Sequence, residues 1–204
     1  MTTAMWIALA LGLGIVVARR RSMAIGLIAL QSAFVSAAAL ALAPGRSVEF
    51  LGAAIVLVLK AVLITLLLWS AMRRTREAKP VRAGIDPMGR LGVTLGAVLV
   101  VNLLVPPLAG VDAVAQQASL ALVCAGLATV VLRRATIIQI IGLLATENGL
   151  ALAAISIPGG APAVIELGAL FDVLLVVAVA LAFHDRIYRL LGTGDSALLR
   201  ELRD

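Results

Sequence analysis

Lys60 stands inside the apolar run LGAAIVLVLKAVLITLLLWSAM, with no other charge for ten residues on either side. Two later apolar runs carry acids at a corresponding depth, Glu147 in TIIQIIGLLATENGLALAAISI and Asp172 in PAVIELGALFDVLLVVAVALAF. An ionisable group at such a depth in a bilayer costs about 2.5 to 3.5 kcal/mol on the insertion scale, so it needs a partner or a task. One base and two acids at one depth suit two kinds of chemistry. They can pass protons, because burial and pairing move pKa values in opposite senses and leave a group poised to gain or lose a proton. They can also form a buried ion pair that fixes helices against each other. Glu166 adds a further carboxylate about one turn in from the outer surface. Asp172, six residues on, is about 9 Å deeper and turned about 120° away, so the two acids read as steps of a ladder.

The polar neighbours fit either chemistry. Thr146, Glu147 and Asn148 fan out from the middle of their span, where lipid offers no hydrogen bonds, so that part of the helix is expected to look into protein. Gln31, Asn102, Gln116, Gln117 and Gln139 read as interhelical hydrogen-bonding groups, and Gln31, Gln139, Asn148 and His184 as possible polar relay residues. His184, the single histidine, is expected where the last helix meets the headgroups.

These residues need elements to hold them, and composition says which. The 204 residues are 62% apolar and 14% charged, with a mean hydropathy of +1.12, too little polar surface to coat a soluble globule. The pattern predicts an all-α polytopic membrane protein, since a bilayer-spanning segment of about 20 apolar residues satisfies its own backbone only as a helix. Seven helices are expected, at about 3–18, 22–43, 48–71, 90–109, 112–132, 136–157 and 162–184, as a single membrane domain over 1–204. Residues 73–89 form a polar loop whose Pro80 and Pro87 disfavour helix, and 192–204 a short amphipathic tail.

Basic residues set the orientation. One set of alternating loops holds Arg19, Arg20 and Arg21, then Arg73, Arg74, Arg76, Lys79, Arg82 and Arg90, then Arg133 and Arg134, then Arg186, Arg189, Arg200 and Arg203; the other holds only Arg46. The N-terminus is expected outside and the C-terminus cytoplasmic, in a prokaryotic cytoplasmic membrane. The net charge of +6 is explained by that topology and by attraction to anionic lipid, so it is weak evidence for nucleic acid, and with no aromatic-basic motif no nucleic-acid partner is expected. Glu49 and Asp112 begin helices on the outer face and read as caps. Gly92 and Gly96, and Gly142 and Gly149, are read as packing positions. No Cys/His cluster, phosphate loop or Ser/His/Asp set is present, so no metal, cofactor or catalytic residue is expected.

The stretch QIIGLLATENGLALAA, the acids in VIELGALFDVLL and the tail GTGDSALLRELRD resemble hydrogenase-4 component E. That family is itself similar to the K subunit of respiratory complex I and the C subunit of multisubunit cation/proton antiporters. The resemblance runs from about 133 to 204 and more loosely through 50–72, where Lys60 matches the family's intramembrane lysine; the first 45 residues add only hydropathy. No proline follows Lys60 shortly, and the first membrane acid of the K subunit falls two residues earlier than Glu147. The resemblance implies a non-catalytic subunit of a redox-driven ion-translocating complex. It would sit between antiporter-like membrane subunits and a hydrogenase-like or dehydrogenase-like peripheral arm, with Lys60, Glu147, Glu166 and Asp172 on a proton path. The alternatives are a structural scaffold and a free-standing small transporter.

Overall fold

The computed structural model describes residues 2–42, 48–75, 85–108, 110–156 and 163–191. The fold is all-helical, with α1 at Thr2–Val17, α2 at Arg21–Leu42, α3 at Val48–Thr75, α4 at Pro87–Leu104, α5 at Ala113–Leu132, α6 at Thr136–Ser156 and α7 at Ala163–Leu191. Five of these, α2 to α6, are long and apolar enough to cross a membrane among the described residues. The tail at 192–204 and loop residues 76–84 lie outside the described residues.

Local chemistry explains the helix ends. Asp86 caps α4, its carboxylate accepting from the Met88 and Gly89 backbone N–H groups, and Pro87 takes the first helical position, where its missing N–H costs nothing. Pro87 therefore starts a helix instead of breaking one, which corrects its reading as a loop residue. The helix stops at Leu104, earlier than expected, because Pro106 and Pro107 follow and Val105 is already extended. Asp112 caps α5 by accepting from Val114 N–H at 3.0 Å. Glu49 falls in the first turn of α3, and its side chain lies outside the described residues.

The helices form two rows. In one, α1, α2 and α3 lie side by side, and in the other α5, α6 and α7; α1 faces α5, α2 faces α6 and α3 faces α7, while α4 packs at the edge against α5 and, less closely, α1. The tightest seam is α5 against α6, and glycines make it. A Cβ on Gly142 would lie 2.8 Å from the Gly126 carbonyl oxygen and 2.9 Å from Val130 N, and a Cβ on Gly126 would collide with Thr146. A Cβ on Gly149 would meet Val123 N at 2.9 Å. Close backbone approach of this kind supplies packing where lipid gives no hydrophobic drive between helices.

The apolar core is split in two. One cluster gathers Val35, Phe50, Leu57, Leu122, Leu152 and their neighbours, and the other Ile25, Ile64, Leu68, Ile141, Leu144 and Val177 with theirs. On α2 the second cluster ends at Ile28 and the first resumes at Val35; on α3 the gap runs from Leu57 to Ile64, and on α6 from Ala145 to Ala151. Gln31, Lys60, Glu147 and Asn148 fall in those gaps, so a polar layer lies between two apolar ones.

Candidate functional site: a polar layer across the bundle

Lys60 Nζ donates to Glu147 Oε1 at 2.6 Å, joining α3 to α6, with the two side chains 5% and 13% exposed. The axes of α3 and α6 hardly touch, so the pair depends on the length of the lysine stem. Its burial makes it asymmetric in energy: the pair as a whole stabilises little, yet removing one partner strands the other charge.

Beside it runs a neutral hydrogen-bond chain. Asn148 Nδ2 donates to Gln31 Oε1 at 3.2 Å and to Ser32 Oγ at 2.8 Å, and Gln31 Nε2 donates to the Ala8 carbonyl of α1 at 2.9 Å. Gln31 is fully buried and Asn148 2% exposed. Gly12 on α1 leaves space for this chain, since a Cβ there would lie 3.0 Å from Gln31 Nε2 and 2.5 Å from a Leu122 methyl. Four helices, α1, α2, α3 and α6, thus meet in one layer. The three successive side chains of α6 divide their tasks: Thr146 packs on Gly126 of α5, Glu147 reaches α3 and Asn148 reaches α2. A small cavity of about 10 Å3, the space of one water, is bordered by Ser32, Lys60, Thr65, Glu147 and Asn148.

The structure does not bring every expected site residue to this layer. Glu166 and Asp172 belong to α7, but their side chains lie outside the described residues. Gln139 is local, donating to the Arg133 carbonyl at 2.8 Å in the α5–α6 turn. His184 is not at a helix end, because α7 continues to Leu191, and the residue is 1% exposed, turned into the bundle. Asn102 donates to Val98 O one turn back in its own helix. Gln116 ties the α4–α5 connection, accepting from Leu108 N and donating to Pro106 O, and Gln117 is exposed. Asn102, Gln116 and Gln139 therefore bond to nearby backbone and not between helices; polar side chains near helix ends find nearby backbone first.

Arg90, read as a loop charge, is 1% exposed in the first turns of α4, with Asp86 and Arg19 as its electrostatic neighbours. Gly92 and Gly96 face open space within the chain, a Cβ on either meeting nothing within 4 Å. Sequence reasoning missed Ser32, Gly12, Gly126 and the Ala8 carbonyl. Only Ser32 left a trace, as the neighbour of a mid-span glutamine.

Comparison with known proteins adds a relative without a described activity. Over 130 residues, 63% of this chain, the sequence is 35% identical to an uncharacterized protein of Mycobacterium tuberculosis. The match spans 59% of that relative's length, less than two thirds of it. No protein-family model matches the chain. No solved structure matches it.

Proposed function

We infer that the chain is a non-catalytic, integral subunit of a redox-driven ion-translocating membrane assembly, and that Lys60 and Glu147 belong to its proton path. The observation that carries this reading is the Lys60–Glu147 contact at 2.6 Å, held between two apolar clusters with a water-sized space beside it. A base and an acid in contact at the middle of a bundle can trade a proton between themselves and a bound water without exposing charge to lipid. The likeness of the C-terminal third to hydrogenase-4 component E supports the same reading. So does the concentration of arginines in alternate connections, with Arg46 alone in the other set, which fits seven spans with the N-terminus outside and the C-terminus cytoplasmic. The partners are antiporter-like membrane subunits and a hydrogenase-like or dehydrogenase-like arm, with lipid around the rest.

The direct pairing of Lys60 with Glu147 favours a second reading, a scaffold subunit in which the ion pair only registers α3 against α6. Extraction of the tagged chain from its native membrane in mild detergent, followed by identification of what accompanies it, tests the assembly. Antiporter-like subunits together with iron–sulfur or nickel proteins are expected. Recovery of the chain alone or as a homo-oligomer overturns the subunit reading.

A further inference from the structure

A second cavity lies in line with the first along α3. It has a volume of about 320 Å3, sits between α3 and α7, and is bordered by Leu67, Ser70, Ala71, Leu181, His184 and Asp185. His184 is 1% exposed, and neither ring nitrogen has a hydrogen-bond partner in the protein. An imidazole always carries at least one N–H to donate, and when neutral it also offers a lone pair; both ring nitrogens are shut off from the space beside them, so a small turn of the ring toward that space is what would give them a partner.

The mouth of the cavity indicates what fills that space. One turn beyond Ser70, the Arg73 guanidinium lies 5.2 Å from the centre of the Trp69 ring, and on α7 Arg189 pairs with Asp185 at 2.7 Å on the exposed side. Tryptophan and arginine at this level mark the membrane–water boundary, so the cavity opens among headgroups and water, not among acyl chains. The charged groups acting on the ring are Arg21 of α2 and Asp185 of α7; α3 presents uncharged Leu67, Ser70 and Ala71. Inward, Ile64, Leu68 and Val177, at 5%, 0% and 0% exposure, close the space. Leu68 borders the inner cavity and the adjacent Leu67 the outer one, so this apolar seal lies at their level, and Ser70 is about 15 Å from Lys60 along the axis.

We propose that the cavity is a water-filled vestibule at the arginine-rich end of the bundle, where His184 takes up protons bound for the Lys60–Glu147 pair. When the ring turns a nitrogen toward the vestibule, that nitrogen accepts a proton from vestibule water; the proton on the other nitrogen leaves inward when water bridges the seal, and Glu147 receives it. The proposal rests on the proton-path reading of Lys60 and Glu147.

The test uses the full chain in its native membrane, carrying Cys124→Ala so that the single native thiol is removed. Ser70→Cys and Leu68→Cys are exposed separately to a membrane-impermeant maleimide from the arginine-rich side. Maleimide reacts with the thiolate, and each unit by which burial raises a thiol pKa slows labelling about tenfold. Ser70→Cys is expected to label at least about tenfold faster than Leu68→Cys. Equal rates, or labelling of Ser70→Cys only by a lipid-soluble maleimide, would show an acyl-filled groove and overturn the proposal. As a second readout, the 15N signals of the His184 ring should follow the pH of the medium; signals indifferent to pH also overturn it. His184→Gln, which keeps hydrogen bonding without taking up a proton, should slow coupled proton movement by about tenfold or more while leaving Ser70→Cys labelling intact. If Glu147→Gln leaves proton movement unchanged while Ser70→Cys labels and His184 titrates, the proton path has failed and the transfer inward with it. If Glu147→Gln stops proton movement while the labelling contrast is absent, the vestibule alone has failed.

Discussion

Helices α4 and α6 have the same mean hydropathy over their spans, 1.6, yet 11% of one and 67% of the other is buried. Hydropathy measures the cost of leaving water, and a bilayer and a protein interior satisfy it equally. The difference between the two helices comes from what their small and polar residues meet. On α6, Gly142 and Gly149 lie against the α5 backbone, Glu147 reaches Lys60 and Asn148 reaches α2. On α4, the same kind of glycine spacing faces open space, Asn102 bonds within its own helix, and Leu99, Leu103 and Leu104 point outward at 61%, 76% and 75% exposure. A glycine pair therefore marks a seam only when its neighbours give the opposing helix a reason to approach.

Substitutions can break or sharpen this contrast, and the largest effect is expected at the ion pair. Lys60→Met strands the Glu147 carboxylate and should cost about 3 to 5 kcal/mol, read as a fall in unfolding midpoint of the detergent-solubilised protein. Combining it with Glu147→Leu should restore much of that loss, because two apolar side chains replace a buried pair at little net cost. Next comes the glycine seam. Gly142→Val drives side-chain atoms into the Gly126 carbonyl and Val130 N, and about 1 to 3 kcal/mol of destabilisation is expected in the same assay. Asn148→Ala removes one interhelical link and should cost about 0.6 to 2 kcal/mol. The smallest loss belongs to α4: Gly96→Ala, with nothing within 4 Å of the added methyl, should cost no stability and gain at most about 1 kcal/mol from the better helix former. A large loss at Gly96 would show that this face packs on something the chain alone does not contain, and the contrast between the helices would then be one of partners.

Much of the architecture was legible in the sequence, because long apolar runs punctuated by charge or by proline and glycine admit little besides helices. The pairing of Lys60 with an acid of α6 was foreshadowed by matched depth alone: both fall near the middle of their runs. Depth carries no azimuth, however. Gln31, Asn102, Gln116 and Gln139 looked alike as polar residues in apolar surroundings, and only Gln31 crosses to another helix. The other three lie near helix ends or within reach of their own backbone, where a local acceptor wins over a distant one. His184 was expected at the end of its helix because charges follow it, whereas α7 runs seven residues further, to Leu191, and turns the residue inward. Arg90 was misplaced for the converse reason: its loop charge count ignored Asp86 and Pro87, which start α4 three residues earlier and carry Arg90 into the bundle.

The central claim is that Lys60 and Glu147 move protons instead of merely holding α3 to α6. The neutral double substitution Lys60→Gln/Glu147→Gln tests it most directly, since it leaves no stranded charge and retains hydrogen-bonding groups on both helices. Proton movement coupled to electron flow is measured in membranes where the substituted chain still co-purifies with its assembly. The account predicts intact assembly with coupled proton movement lost. Intact assembly with proton movement unchanged would contradict it and leave the pair as a structural lock.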